Sequence, residues 1–458
     1  MVAMRTDMRV LIIAYYFPPE SSSGAFRPLY FANHLTQMGC RISVLTCNEQ
    51  YYLAEQPTDY ALLDKLSSDI GVIRTRVTRP REALISLKKR LTAPASKGGN
   101  EDASASQQFA LGDVHKSTIQ KIKDFITDSL AIPDPHAGWL PWAIYRGVKI
   151  ITSQKIDVIW ATGSPWTCFL VGAFLKKITG KPLVLDYRDP WGANPNMRLK
   201  NKYVASLEKK IEKAIVTKAD LITANTKELR ENFLVRFSGL RKRQVIALPN
   251  GFEEFIESQI CKKKALTLSH AGALYFSRNP INLLKAAVSL IEKGAIPVGK
   301  LKIKFVGGIS IDDRALDALL DSPELKNVVE VYPRMALDKA IEHQLASDVL
   351  FLLQPGFPLQ IPRKLYEYIS LRKPILAITD REGATARVIE ENHFGIVVPN
   401  TESELEHVLK KLWLDWQDGN LPKPPLKNSE FFLNSNLSRI LHNELASLAG
   451  AGVDDTIC

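Results

Sequence analysis

Short apolar runs alternate along the chain with longer stretches whose apolar positions recur at helical spacing, and glycine, proline or asparagine stands between them. The opening unit, MRVLIIAYYFPPESSSGAFRPLYFANHLTQMGCRISVLT, predicts a strand, a Pro/Ser/Gly loop, an amphipathic helix ending at Gly39 and a second strand. Such a βαβ unit begins a doubly wound parallel sheet. Further strands are expected in KIDVIWATGSP, KPLVLDYRDP and ADLITANT, with a helix that ends at Gly180 and a long one through Val204, Leu207, Ile211 and Ile215. The second half repeats the alternation: LTLSHAG, KIKFVGG, VVEVYP, Val349–Leu353 and PILAI read as strands, and INLLKAAVSLI, MALDKAIEHQL and the stretch after Pro362 as helices. Val349–Leu353 is apolar at every position, which suits a parallel strand covered on both faces. The chain is therefore expected to be α/β, with a second parallel sheet.

Pro249–Phe252, PNGF, reads as a turn in which Asn-Gly supplies left-handed backbone. The tail, 449–458, is expected to be disordered. From Arg79 to Asp113 the chain turns basic and then polar, and a flexible insert is expected at about 92–113. Beyond it, Ile119, Ile122, Phe125 and Ile126 share one helical face with lysines beside it, a pattern that suits either packing on the first domain or docking on a membrane.

A length of 458 residues fits two or three domains. No window approaches ~18 uninterrupted apolar residues, so no transmembrane helix is expected. The apolar run near the start reads as a first strand rather than a signal peptide, since no small-residue cleavage site follows it. The five cysteines, Cys40, Cys47, Cys168, Cys261 and Cys458, show no C-x-x-C spacing. Neither a zinc site nor a disulfide framework is expected, and a cytoplasmic location fits. The formal net charge of +11 favours anionic ligands: a nucleotide, a lipid pyrophosphate or an anionic membrane surface. Nucleic acid is not an expected partner, because no helix-turn-helix, zinc-finger or RNA-binding aromatic pattern is present.

Candidate chemistry gathers where strands end. QPGFPLQIP, with three prolines and a glycine in nine residues, must be a shaped loop, and Pro362 suits the first turn of the helix after it. Arg363 and Lys364 at a helix N-terminus make a phosphate site, and Glu367, one turn on, suits the two hydroxyls of a ribose. Alternatively, Arg363 and Glu367 are a solvated pair four residues apart. Gly24 in PPESSSGAFRP lets backbone approach a phosphate, with Arg27 one turn along, unless the loop is merely a strand-to-helix turn. His136 and Trp139, beside Trp142 in IPDPHAGWLPW, suit either a sugar acceptor or a capped core turn. Asp186, Arg188, Asp189 and Trp191 follow the strand PLVL at its carboxyl end, where doubly wound sheets bind ligands. Asp189 is a candidate for acceptor positioning or general base, or Arg188 and Asp189 form an internal pair.

PRKLYEYISLRKPILAI resembles the donor-nucleotide segment of family-4-type glycosyltransferases of the GT-B fold, bacterial surface-polysaccharide type. PPESSSGAFRP resembles the loop that opens those enzymes, D-Y-R-D-P-W their acceptor-side motif, and PNGF their hinge. The resemblance implies two Rossmann-like doubly wound parallel-sheet domains facing across a cleft, acceptor-binding over 1–250 and donor-binding over 251–425, with the PNGF hinge between them and a last helix over 426–448 packing back on the first domain. It puts Glu367 on the ribose and Arg278, in HAGALYFSRNP, at the lysine position that grips the donor pyrophosphate, with Arg363 or Lys364 assisting. Arg278 is otherwise a free surface arginine. Gly307 and Arg334 fall where the family's loops flank the base. Two family residues are missing: Leu359 stands for the glutamate of an E-x7-E pair, where amides of Gly356 to Leu359 are expected to substitute, and Ala273 stands for an arginine. By resemblance the catalytic set is Asp189, Arg188 and Arg278, the donor set Gly24, Arg278, Gly307, Arg334, Gly356, Arg363, Lys364 and Glu367, and the acceptor set Arg27, His136, Trp139, Asp186 and Trp191. The implied activity is transfer of a sugar from a UDP- or GDP-sugar to a saccharide or lipid-linked acceptor, retaining, without metal or other cofactor. A non-catalytic nucleotide-binding scaffold and a sugar-nucleotide epimerase of the same fold are the alternatives.

Overall fold

The computed structural model describes residues 7–53, 56–78, 132–194, 202–256, 264–274 and 278–450. The expected insert, the amphipathic segment through Ile119 and Ile126, and all but the first two residues of the expected tail lie outside them.

Seven strands, β1 (Arg9–Ile13), β2 (Arg41–Cys47), β3 (Gly71–Thr75), β4 (Val158–Gly163), β5 (Leu183–Tyr187), β6 (Leu221–Ala224) and β7 (Val245–Ala247), form one sheet in the order β3-β2-β1-β4-β5-β6-β7. Six more, β8 (Leu266–Ala271), β9 (Leu301–Val306), β10 (Val329–Tyr332), β11 (Val349–Gln354), β12 (Ile375–Thr379) and β13 (Gly395–Val398), form a second in the order β10-β9-β8-β11-β12-β13. Every pairing is parallel. In each sheet the order reverses once, between β1 and β4 and between β8 and β11, and such reversals open a crevice at the carboxyl ends of the strands.

The unbroken apolar runs have a direct cause. Side chains alternate across a strand, so a strand covered on both faces needs apolar residues at every position. On β1, Leu11 and Ile13 enter one core while Val10 and Ile12 enter the core on the opposite face. On β11, Val349, Phe351 and Leu353 face one way and Leu350 and Leu352 the other.

The helix Asn434–Leu448 sends Leu437, Leu441 and Leu445, four residues apart, into the core formed by Val10, Ile12 and Leu29 of the first sheet's layer. The chain thus ends on the domain it began with. The PNGF segment is where it crosses back: Phe252 N donates to Phe432 O and Asn434 N to Phe252 O. A Cβ on Gly251 would lie 2.2 Å from the Phe432 carbonyl oxygen, and Gly251 is not among the positive-φ glycines. The glycine expected to supply a left-handed turn instead admits a crossing strand of backbone.

Two further details differ from expectation. The helix Lys202–Val216 buries Glu208 and Glu212 and leaves Leu207 46% exposed, because Glu212 accepts hydrogen bonds from Arg236 and Gly192 N inside the domain. A helix at Arg314–Leu320 was not anticipated; Asp313 caps it through Ala315 N and Leu316 N. Among the described residues no helix is long and apolar enough to cross a membrane.

Leu441 is fully buried in the returning helix. Leu441→Ala is expected to cost ~2–5 kcal/mol through lost burial and a cavity. An earlier urea transition of the first domain checks this; an unchanged one would mean that the helix adds nothing to that core.

Candidate functional site

The carboxyl ends of both sheets face one cleft of about 1260 Å³. Its N-terminal wall includes Ser21, Ser23 and Phe26 after β1, Arg188 and Asp189 after β5, and Asn225 and Asn250 after β6 and β7. Its C-terminal wall includes Gly272 and Arg278 after β8, Gly307 after β9, Arg334 after β10, and Gln354, Gln360, Arg363, Lys364 and Glu367 after β11. The C-terminal wall carries four cationic side chains, Arg278, Arg334, Arg363 and Lys364, against two carboxylates, Asp338 and Glu367, and the N-terminal wall Lys65 and Arg188 against Asp59 and Asp189.

Lys364 and Arg363 open the helix Arg363–Ser370, and Pro362 caps it from an extended conformation rather than occupying its first turn. Burial, and next the charge of Arg278, push the Lys364 ammonium down to about 8. Its Nζ lies 3.4 Å from His270 Nε2, and a Cβ on Gly272 would lie 2.0 Å from the same Nζ. Gly272 has φ +108, so both its backbone and the lysine require glycine there. Arg278 Nη2 donates to Gln354 Oε1 at 2.9 Å. Arg363 pairs with Glu367 on the same helix, and its guanidinium lies 3.9 Å from the centroid of Phe26 on the opposite wall. The pair is three-quarters covered on both members. It is therefore not the solvated helix-face pair that the spacing also allowed.

The walls touch. Gln360 Nε2 donates to Asp189 Oδ1 at 2.7 Å, and Thr226 Oγ1 donates to Leu359 O at 2.9 Å. Leu359 itself packs against the first domain's core. Where the resembled family carries a carboxylate, this chain has an apolar contact between domains.

Residues 121–254 match the family model described as Glycosyltransferase Family 4. Among solved structures, the chain is similar to a sucrose-phosphate synthase from Thermosynechococcus elongatus, with 13% identity, TM-score 0.60 and coverage of 97% of this chain and 100% of that one. The lipopolysaccharide outer core galactosyltransferase WaaB matches with 13% identity, TM-score 0.56 and coverage of 96% and 99%. A UDP-N-acetylglucosamine 2-epimerase matches with 13% identity, TM-score 0.50 and coverage of 97% and 98%. This is a GT-B chain that resembles the family-4 glycosyltransferases. No curated protein matches it in sequence.

In this GT-B cleft Asp189, Arg188, Arg278, Gly307, Arg334, Arg363, Lys364 and Glu367 come together. The other expected site residues do not line it. Arg27 and Asp186 are 6% and 0% exposed and form an internal ion pair at 2.8 Å. Asp186 also accepts from Thr162 and Thr223, its registered neighbours on β4 and β6, and Arg27 donates to Leu248 O, Pro249 O and Asn250 Oδ1. With these groups satisfied internally, neither is available to an acceptor. Trp139 is fully buried and donates Nε1–H to Thr75 Oγ1; Trp191, 1% exposed, stacks on Trp166 with rings 5.1 Å apart. His136 is buried against Tyr15 and hydrogen-bonded to Tyr16 Oη at 3.0 Å. These rings have no free face for a sugar, which corrects the expected acceptor set.

Gly24 also has another role. A Cβ there would lie 2.7 Å from Arg188 Nη1, and its carbonyl accepts from that guanidinium, which also bonds Gly163 O and Ser164 O. Arg188, expected in the catalytic set, thus ties the β1 and β4 loops together. Gly356 is exposed outside the cleft, and its amide is occupied by Asp380 Oδ2 at 2.8 Å, so it is corrected as a donor ligand. Sequence reading overlooked His270, Gln360 and Gln344. Gln344 is 1% exposed, lines the cleft, and neither amide atom has a hydrogen-bond partner. A polar residue just before the β8 glycine was the available signal for His270; Gln344, inside an ordinary helix, gave none.

Arg27→Met would strand the Asp186 carboxylate in the interior, at an expected cost of ~3–5 kcal/mol. Chemical denaturation of the variant checks the magnitude; a loss under about 1 kcal/mol, the range of exposed pairs, would mean that the pair is hydrated.

Proposed function

We propose that the chain is a glycosyltransferase that moves a sugar from a UDP- or GDP-sugar to a saccharide or lipid-linked acceptor. The observation that carries this reading is the meeting of Lys364, Arg278 and the first turn of a helix at the edge of the second sheet, with Glu367 one turn beyond. Cations and free amides at one point suit the two phosphates of the donor. Guanidinium and ammonium divide the task, Arg278 offering a flat fork and Lys364 a compact charge. Glu367 takes the ribose hydroxyls, exchanging them for its present partner Arg363.

In the reaction the bond between the anomeric carbon and the diphosphate oxygen breaks, and its electron pair leaves with the diphosphate. Lys364 and Arg278 stabilise that developing charge from fixed positions. The acceptor hydroxyl attacks from the same face and passes its proton to the departing phosphate oxygen, so that configuration is retained and charge balances. Asp189, on the opposite wall, orients the acceptor hydroxyl once Gln360 releases it. The buried thiols of Cys40, Cys47 and Cys168, which form no disulfide, suit a reducing cytoplasm.

A thermal-shift series with UDP, GDP and ADP and their sugar conjugates is expected to raise the melting temperature for one base, since a ligand stabilises the state that binds it. Glu367→Ala should abolish that shift. No shift with any of them, in folded protein, would turn the reading towards a scaffold. Affinity for the nucleotide that binds should fall as pH rises through about 8, because Lys364 is charged below that value and neutral above it. Titration calorimetry between pH 7 and 9 checks the sign. Lys364→Met should remove the alkaline limb and weaken binding by about tenfold, the usual effect of losing one charged hydrogen bond.

A further inference from the structure

The residue at the end of β8 that the proposed mechanism leaves unused is His270. It is 1% exposed, and its Nδ1 lies 3.0 Å from the Phe351 carbonyl oxygen on β11. A carbonyl only accepts, so Nδ1 carries the proton and Nε2 presents a lone pair. That lone pair faces the Lys364 ammonium at 3.4 Å. The lysine stem crosses Gly272, the residue before Ala273, at which the resemblance would put an arginine.

We infer that His270 is a positioning residue, a neutral acceptor that holds the Lys364 ammonium over Gly272 as the seat for the donor's diphosphate. The inference rests on the reading of the cleft as a nucleotide-sugar site. The choice of imidazole has a physical reason. A carboxylate in that position would neutralise the lysine and repel phosphate, whereas a neutral acceptor orients the ammonium and leaves its charge for the ligand. An ammonium has three donors, so one bond to His270 leaves two for phosphate oxygens. Burial, and next the charge of Lys364, hold the imidazole well below its usual range, so it stays neutral beside the cation.

The groups that set the charge at Lys364 are Arg363 and Glu367 on its own helix, Arg278 after β8, and His270 on β8. His270→Phe keeps the ring and removes the acceptor; His270→Asn restores an acceptor. Binding of UDP, of GDP and of inorganic pyrophosphate would be measured by calorimetry from pH 6 to 9. Ligand titration is common to all proteins, so only the difference between them counts. The Phe variant is expected to move the alkaline limb to lower pH and to bind about tenfold more weakly near pH 8, with little change at pH 6. The Asn variant should recover most of the loss. An unchanged limb in folded His270→Phe, or an equal loss in both variants at every pH, overturns the inference. Nitrogen-15 NMR of the wild-type imidazole gives a second test that needs no variant: an Nδ1–H tautomer is expected, and an Nε2–H tautomer overturns it. If UDP, GDP and pyrophosphate all fail to bind the wild-type protein, the proposed function itself falls; if one binds and the limb ignores His270, only this inference does.

Discussion

The buried ion pair of Arg27 and Asp186 is the constraint on which the cleft depends. Removing two charges from water costs several kcal/mol each, and attraction alone offsets this only when the remaining hydrogen-bonding groups are also satisfied. Here they are. Asp186 accepts from Arg27, Thr162 and Thr223, and Arg27 reaches the carbonyls of Leu248 and Pro249 and the side chain of Asn250. One network therefore joins the first helix, the ends of β4, β5 and β6, and the crossing between domains. The Arg188 guanidinium continues it outward by joining the β1 loop to the β4 loop. The floor of the N-terminal wall is thus a satisfied polar layer with few degrees of freedom, and Asp189 projects from it towards the other domain.

The C-terminal wall works by a different balance. Lys364, Arg278 and Arg363 are close enough to oppose one another's charge, and Lys364 is also partly desolvated. Such crowding is what the diphosphate of the proposed donor would relieve. The two departures from the family pattern are linked to this arrangement. Ala273 brings no cation, and the ammonium of Lys364 lies over the neighbouring Gly272, which has no side chain to obstruct it. Leu359 brings no carboxylate and packs against the first domain's core, so its loop joins the walls.

Much of this architecture was legible in the order of residues, and for local reasons. Unbroken apolar runs such as Val349–Leu353 identify strands covered on both faces, and the alternation with helical stretches identifies parallel sheets, because both patterns are imposed by backbone periodicity. That the charged residues lining the cleft stand after β5, β8 and β11 follows from the same topology. The roles of side chains at those positions were less legible. Asp186 and Asp189 are three residues apart with the same chemistry, yet one is sealed beneath the floor and the other faces the cleft. Trp139 and Trp191 look like sugar platforms in sequence and are core residues in the fold.

The sequence by itself determined two parallel-sheet layers and the strand ends at which charged residues collect, since these depend on short-range periodicity and turn chemistry. Only the tertiary structure decided which charges meet. Arg27 finds Asp186 across 159 positions, Lys364 finds His270 across 94, and Asp189 finds Gln360 across 171. Contacts of that range are set by which strands become neighbours and by how closely backbones can approach, as at Gly251 and Gly272, and no local pattern encodes those distances.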